Sequence, residues 1–295
     1  MSAGAPPLAE PDPRERVRGR VVMVTGASSG IGRATAVAFA SAGALVVGAA
    51  RRGPALEELA VELRRRGSPA LMVPTDVTDE SSVARLIGRT LEHFGRLDVL
   101  VASAGVYVRA PLSTLTTADL ERSLDVNFYG AVRPALAALP YLLAQGHGHL
   151  VFVSSLISRK GLPHEAPYAV AKWALTGFAD VARQELRPRG IAVTTILPGR
   201  VATSFIEGVH FHPVSRPIPP AQVADAIVRA VRRRQAEVTL PRRASAIHYA
   251  AAVSPGLADW GVRRFRLEGW LEDGRAPGRA STAAAAPVPV EDRDR

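Results

Sequence analysis

Tyr168 and Lys172 stand four residues apart in Tyr-Ala-Val-Ala-Lys, and Ser155 lies thirteen residues upstream of the tyrosine. On a helix, positions i and i+4 share a face, so the Lys172 ammonium and the Tyr168 phenol can address one ligand. A phenol has an ordinary pKa near ~10, too high for an efficient base at neutral pH. A neighbouring cation favours the phenolate and is expected to draw the Tyr168 pKa down. Such a pair can exchange a proton with an alcohol or carbonyl oxygen without a metal.

A second motif, Thr-Gly-Ala-Ser-Ser-Gly-Ile-Gly, runs from Thr25 to Gly32 between an apolar run and a helical pattern. Gly26, Gly30 and Gly32 let the backbone turn tightly and approach a pyrophosphate. The N–H groups and dipole at a helix N-terminus suit the phosphate charge. Ser28 and Ser29 add hydroxyl donors. Each motif alone is ambiguous: Tyr-x-x-x-Lys is as readily a packed tyrosine beside a solvated lysine, and a glycine turn as readily structural. The combination, in this order, carries the argument.

The elements that must position these groups follow from hydrophobic periodicity. Apolar runs alternate with longer helical patterns, which predicts repeated βα units and a parallel sheet. Strands are expected at Val21 to Thr25, Ala44 to Ala49, Ala70 to Pro74, Leu97 to Ala102, His149 to Ser154, Ile191 to Leu197 and Glu237 to Leu240. Helices are expected at Ile31 to Ala42, Ala55 to Arg66, Ser81 to Phe94, Ala118 to Ala144, Tyr168 to Arg187 and Pro220 to Arg234. Gly43, Gly67, Gly95 and Gly190 follow four of them, where helix ends favour glycine. The fold class is α/β, a Rossmann-type doubly wound sheet of about seven strands in three layers. The division is a disordered tail (1–18), a catalytic domain (19–241), a helical appendage (242–274) and a second disordered tail (275–295). Trp260, Phe265 and Trp270 in the appendage are expected to cover the domain edge or a partner.

Together the motifs resemble the short-chain dehydrogenase/reductase family, over about Arg20 to Leu240. The resemblance implies NADP(H)-dependent interconversion of a carbonyl and a secondary alcohol. Tyr168 would be the general acid/base, and Ser155 would hydrogen-bond the reacting oxygen. Lys172 would hold the nicotinamide ribose, and Asn127 would bend its helix around a bound water and link Lys172 to a proton relay. Ser154 is the neighbour that could be confused with Ser155; the spacing to Tyr168 selects the latter. The cofactor would lie on Gly26, Ser28, Ser29, Gly30, Ile31 and Gly32. Ala50 occupies the family's usual acidic position, with Arg51 and Arg52 after it, and a guanidinium fork matches a 2′-phosphate. Asp76 and Val77 would meet the adenine; Pro198, Gly199, Val201 and Thr203 would meet the nicotinamide and phosphates. Where the family has Asn-Asn-Ala-Gly, this chain has Ala102-Ser103-Ala104-Gly105, which keeps the close-packing Ala104 and Gly105 and loses both amides. The substrate pocket would come from Leu156 to Ala166 and Ser204 to Pro219, the second rich in Phe205, Ile206, Val209, Phe211, Val214 and Ile218. This suits a medium-sized hydrophobic small molecule. The same motifs also fit a catalytically quiet NADP-binding sensor, although such a protein has no need of an intact Ser-Tyr-Lys-Asn set.

Composition narrows the remaining classes. At 295 residues the chain can bury one large α/β core. The net charge of +10 invites a nucleic-acid reading. The excess is almost all Arg, however, scattered over several segments without interleaved aromatics, so solvated helix faces are expected and no nucleic-acid partner. His147 with His149 and His210 with His212 have no Cys or carboxylate at ligand spacing, and no metal is expected. The chain has no cysteine, no apolar run of transmembrane length and no secretory signal, which fits a cytoplasmic protein. Apolar surface on the helices of Asn127 and Tyr168, including Trp173, Phe178 and Val181, predicts a homodimer or homotetramer.

Overall fold

Seven short Val-, Ile- and Leu-rich runs form one parallel sheet in the order β3-β2-β1-β4-β5-β6-β7. The computed structural model describes residues 17–241 and 253–270. The strands are β1 (Val21–Thr25), β2 (Leu45–Ala50), β3 (Ala70–Pro74), β4 (Val99–Ala102), β5 (Gly148–Val153), β6 (Ile191–Pro198) and β7 (Glu237–Leu240). β1, β4 and β5 are buried throughout. A strand covered on both faces has no reason to alternate polar with apolar residues.

The helices α1 (Gly30–Ser41), α2 (Gly53–Arg65) and α7 (Pro220–Arg233) cover one face, burying Phe39, Leu56, Leu63 and Ile227 against it. The other face takes α3 (Glu80–Phe94), α5 (Gly130–Gln145) and α6 (Ala166–Leu186), through Leu86, Leu142, Leu175 and Ala179. This is the expected three-layer, Rossmann-type architecture. The chain reverses direction across the sheet between β1 and β4, and in open parallel sheets the crevice at such a point, beyond the strand C-termini, receives ligands.

Boundaries fall within a few residues of expectation. The four helix-ending glycines all take positive φ. Asp79 caps α3 by accepting from the Ser81 N–H. Leu97 and Asp98 precede β4 rather than joining it; the buried Asp98 carboxylate accepts from the Val21 N–H at 2.9 Å. Val17, placed in the tail by the sequence, is buried, and the Gly19 N–H bonds the Gly43 carbonyl at 2.8 Å. The rest of both predicted tails lies outside the described residues. So does the appendage, apart from 253–270, which holds α8 (Pro255–Arg264) with Ser254 as its cap.

One expected helix is two. In place of a continuous Ala118 to Ala144, α4 (Thr117–Leu124) runs into a π-turn at Asp125–Tyr129 before α5 begins. The fully buried Asn127 accounts for the widening. Its amide donates to the Val106 carbonyl at 2.9 Å and the Ser123 carbonyl at 3.1 Å, while its oxygen accepts from the Val106 N–H at 3.2 Å. A side chain that bonds both a neighbouring loop and the preceding turn pulls the helix off its regular ladder. Asn127→Leu keeps the volume but leaves both Val106 groups unpaired in the interior. It should lower unfolding free energy by about 2–4 kcal/mol in urea titrations. A loss below ~1 kcal/mol would mean that the turn is held by something else.

Candidate active site

The glycine turn after β1 is shaped by what it cannot hold. A Cβ on Gly26 would stand 2.8 Å from the Ala104 Cα, and one on Gly32 would stand 2.3 Å from the Gly26 carbonyl oxygen. The turn therefore lies directly on Ala104, and α1 starts directly on the turn. Ser29 occupies the N-cap position of α1 without a side-chain cap, and the first helical turn has no acidic residue. Backbone donors with no side chain in front of them, at a positive helix end, fit a pyrophosphate.

Around this cradle one end of the crevice is built by the residues that follow β2 and β3. Arg52 reaches across to the Ser28 hydroxyl at 3.2 Å, and Arg51 is exposed at the lip. Asp76 Oδ1 accepts from the Thr78 N–H at 2.9 Å and its hydroxyl at 2.7 Å, which fixes the carboxylate beside Val77. At the end of β4 the buried Thr25 hydroxyl oxygen accepts from the Ser103 and Ala104 N–H groups at 3.1 and 3.2 Å. Gly105 packs on Asn127, whose Oδ1 would lie 2.8 Å from a Cβ there.

The reactive side chains come from β5 and α6. Ser154 turns inward, its hydroxyl held by the Lys172 carbonyl at 3.1 Å and the Thr176 hydroxyl at 2.8 Å. Ser155, the next residue, acts on the Tyr168 phenol to lower its pKa, while its hydroxyl donates to the Pro198 carbonyl at 3.4 Å and accepts from the Ile157 N–H at 3.3 Å. Lys172 is buried, and its Nζ donates to the Val153 carbonyl at 2.9 Å, 5.6 Å from the centre of the Tyr168 ring. All twenty sequence-derived candidates line one cavity of about 1260 Å³, from Arg51 at one end to Tyr168 near the other.

The electrostatics differ from expectation in one respect. Tyr168 is not drawn down by Lys172; its pKa is pushed up to about 12 by burial and by the Glu165 carboxylate, against the lowering effects of Ser155 and Arg200. Lys172 itself is pushed down to about 8 by burial. Its amine points to a backbone carbonyl rather than to the phenol oxygen, so it shares the cavity wall with Tyr168 without pairing to it.

Four functional candidates escaped the sequence. Glu165, three residues before Tyr168, is buried and accepts from Arg200 at 2.7 Å. Arg200, the residue after the Pro198-Gly199 turn, also donates to the Tyr107 hydroxyl at 2.8 Å. Tyr107 meets Tyr168 edge-on, ring centres 5.1 Å apart, and Arg109 lies 5.5 Å over the Tyr107 ring. An acidic residue one helical turn before the tyrosine was the available signal, but its partners are 35 residues or more away in sequence. The pocket end is also larger than expected. Leu156, Leu162, Phe205, Ile206 and Val214 line it, joined by Leu257, Trp260 and Phe265 from the C-terminal segment. Those residues cover the cavity instead of a distant domain edge. Phe211 and Ile218 turn elsewhere, the first against Gly269 and the second into the core.

The comparison with known proteins agrees with this construction. Residues 20–210 match the family described as short chain dehydrogenase. An uncharacterised oxidoreductase of Bacillus subtilis is 36% identical over 255 residues, covering 83% of this chain and 72% of the relative. Dehydrogenase/reductase SDR family member 7B of Bos taurus is 32% identical over 262 residues, covering 83% and 80%. The solved alcohol dehydrogenase of the archaeon Thermococcus sibiricus, complexed with 5-hydroxy-NADP, aligns with a TM-score of 0.67 at 29% identity, over 76% of this chain and 96% of that one.

The depressed Lys172 pKa sets a stability test. Below about 8 the amine is charged in both states, and its burial opposes folding in full. Between about 8 and its ordinary value of 10.5, only the unfolded chain holds the proton, so stability rises with pH and the penalty fades. Lys172→Met removes the charge. The Tm of the variant minus that of the native protein should therefore be largest near pH 7 and shrink towards pH 10, followed by circular dichroism. A difference that is flat in pH would show that Lys172 is not desolvated.

Proposed function

Because the chain belongs to the short-chain dehydrogenase/reductase family, we propose that this oxidoreductase uses NADP(H) to interconvert a hydrophobic ketone and its secondary alcohol. The observation that carries the proposal is the convergence of Ser155, Tyr168 and Lys172 on one wall of the cavity that also contains the glycine cradle.

The family's fold binds a nicotinamide cofactor. The cradle of Gly26, Ser28, Ser29, Gly30, Ile31 and Gly32 would hold its pyrophosphate, and Asp76 and Val77 its adenine. Pro198, Gly199, Val201 and Thr203 would face its nicotinamide end. When bound, the cofactor supplies or accepts the hydride. The choice of NADP rests on Arg51 and Arg52 beside Ala50, where no carboxylate repels a 2′-phosphate. The NADP analogue named with the archaeal structure is in keeping with that choice.

The remaining chemistry belongs to the chain. With its pKa near 12, Tyr168 keeps its proton at neutral pH and is placed as a donor to a carbonyl oxygen. The Ser155 hydroxyl supports the negative charge that grows on that oxygen, or on the phenol after transfer. Lys172, still largely cationic near pH 7, adds a positive charge to the same wall. Asn127 fixes the backbone of Val106 at the edge of the pocket, and its helix break gives a proton relay a place to leave. Leu156, Phe205, Val214 and Trp260 give the reacting centre an apolar surround.

We infer a homodimer or homotetramer from two exposed apolar stripes. Val170, Trp173 and Val181 form one on α6, and Tyr129, Leu136 and Tyr141 the other along the π-turn and α5. Phe178 does not join them. One turn from Leu175, on the flank of the inner face, it packs edge-on against Phe152 and Phe128.

Three measurements test this reading. Turnover of NADPH against a panel of hydrophobic ketones should find a substrate, and Tyr168→Phe should lower kcat by at least ~10² with the fold intact; near-native turnover by the variant removes Tyr168 from the mechanism. Arg51→Ala should weaken NADPH by roughly 1.5–3 kcal/mol in calorimetric titration and leave NADH unchanged, whereas equal losses would place Arg51 in solvent. Light scattering at micromolar concentration should give at least a dimer, and Trp173→Glu should shift it towards monomer. A native monomer would overturn the assembly.

A further inference from the structure

A carboxylate and two guanidinium groups are buried together behind the Tyr168 ring, and none of them is given a contact with the reacting atoms in the chemistry proposed above. Glu165, Arg109 and Arg200 keep 1%, 2% and 12% of their side-chain surface. Taking such charges out of water is costly, and a buried ion pair is commonly no more stable than an apolar replacement of the same shape. A network kept at that cost calls for a role in fixing geometry.

Its connections show which geometry. Arg200, in the loop after β6, donates to the Tyr107 hydroxyl at 2.8 Å, to Glu165 at 2.7 Å and to the backbone carbonyl of Leu267 at 3.1 Å. Arg109 donates to the next carbonyl of that strap, Glu268, at 3.2 Å. Glu165 is the residue from which α6 starts, and its own carbonyl accepts the Ala169 N–H at 2.8 Å. One planar fork thus spans the loop after β4, the turn carrying Tyr168 and the C-terminal strap. A lysine carries its three donors on one compact nitrogen and does not offer the wide planar fork by which two separate nitrogens reach these partners. The strap ends in an antiparallel pair between His210 and Trp270, and it follows directly from α8, which brings Trp260 to the cavity.

We propose that Arg200, paired with Glu165, is a positioning and specificity-determining residue that latches the C-terminal strap to the first turn of α6. The far wall of the substrate pocket and the Tyr168 turn thereby share one contact, beside the Arg109 bond to Glu268 and the His210–Trp270 pair that also hold the strap. The specificity half of this inference rests on the oxidoreductase reading; the latch does not.

Arg200→Ala leaves the buried Glu165 carboxylate with only Arg109, 3.8 Å away, and opens a cavity beside it, so the informative variant is the pair Arg200→Met with Glu165→Gln, which removes one charge of each sign, in the full-length chain. Hydrogen exchange measured by mass spectrometry should show the strap amides, Leu267 and Trp270 among them, exchanging at least ~10-fold faster, with NADPH affinity in calorimetry unchanged. For the ketone best turned over by the native enzyme, KM should rise roughly tenfold, and for a small ketone by less than about threefold. Arg200→Lys, which retains the charge, should loosen the strap too. Unchanged strap exchange in the double variant, or native exchange in Arg200→Lys, would overturn the latch. Equal KM increases for both ketones would overturn the specificity role. Exchange needs no substrate, so a native protein that turns over no ketone while its strap still loosens on substitution would refute the oxidoreductase reading and leave the latch standing.

Discussion

The site turns on the removal of the Lys172 amine from water. A buried ammonium loses most of its hydration, and the Val153 carbonyl, at the last residue of β5, returns one hydrogen bond to it. That bond ties the middle of the Tyr168 helix to the end of the central sheet. Four residues earlier on the same helix, Tyr168 then has little freedom except to face Ser155, which leaves the same strand end two residues after Val153. Ser154, between them, anchors the helix from the other side through the Lys172 carbonyl and Thr176. The geometry of the reactive trio is therefore a consequence of where one amine finds a partner.

The same desolvation decides the protonation states. Near neutral pH a phenol at about 12 is a proton donor, while an amine at about 8 remains mainly a cation. The expectation that the lysine lowers the tyrosine assumed that the two groups meet head to head. They lie side by side instead, and burial together with Glu165 outweighs the distant charge. The consequence for the proposed chemistry is a division of labour. Tyr168 supplies a proton that it holds firmly, and Ser155 and Lys172 offer the compensating dipole and charge to the anion left behind.

What was legible in the sequence is what depends on neighbours along the chain or on a repeated pattern. The central strands show as Val-, Ile- and Leu-rich runs without strict alternation, because both faces of the sheet are covered there. The glycine cradle shows because Gly26 and Gly32 leave no room for a Cβ. The Tyr168 and Lys172 pair shows because helical spacing alone puts them on one wall. The break at Asn127 was half visible: a polar residue in an apolar helix suggested a bend, but the full widening depends on the loop at Val106. Phe178 was misplaced because one helical turn separates an outer face from the flank of an inner one, and a helix with apolar residues on both sides blurs that distinction.

The Glu165–Arg200 pair was not legible, for a reason that is general to buried charge. Nothing in a run of residues says whether an arginine will be solvated or enclosed, and most of the arginines among the described residues are exposed. The difference is made by what closes over it. Here the strap at Leu267 and Glu268 supplies carbonyls, Tyr107 supplies a hydroxyl, and Glu165 supplies the opposite charge. Only their arrival together makes enclosure tolerable. In the same way, the apolar residues of α8 fit no amphipathic stripe, because they face a cavity on one side while Leu257 and Trp260 remain half in solvent on the other. A pocket wall that is one helix thick and held by a buried guanidinium can be resized by changes in α8 without disturbing the sheet. In the proposed reading the cofactor cradle and the proton-handling groups sit at the strand ends, and the choice of substrate falls to the segment that the latch holds in place.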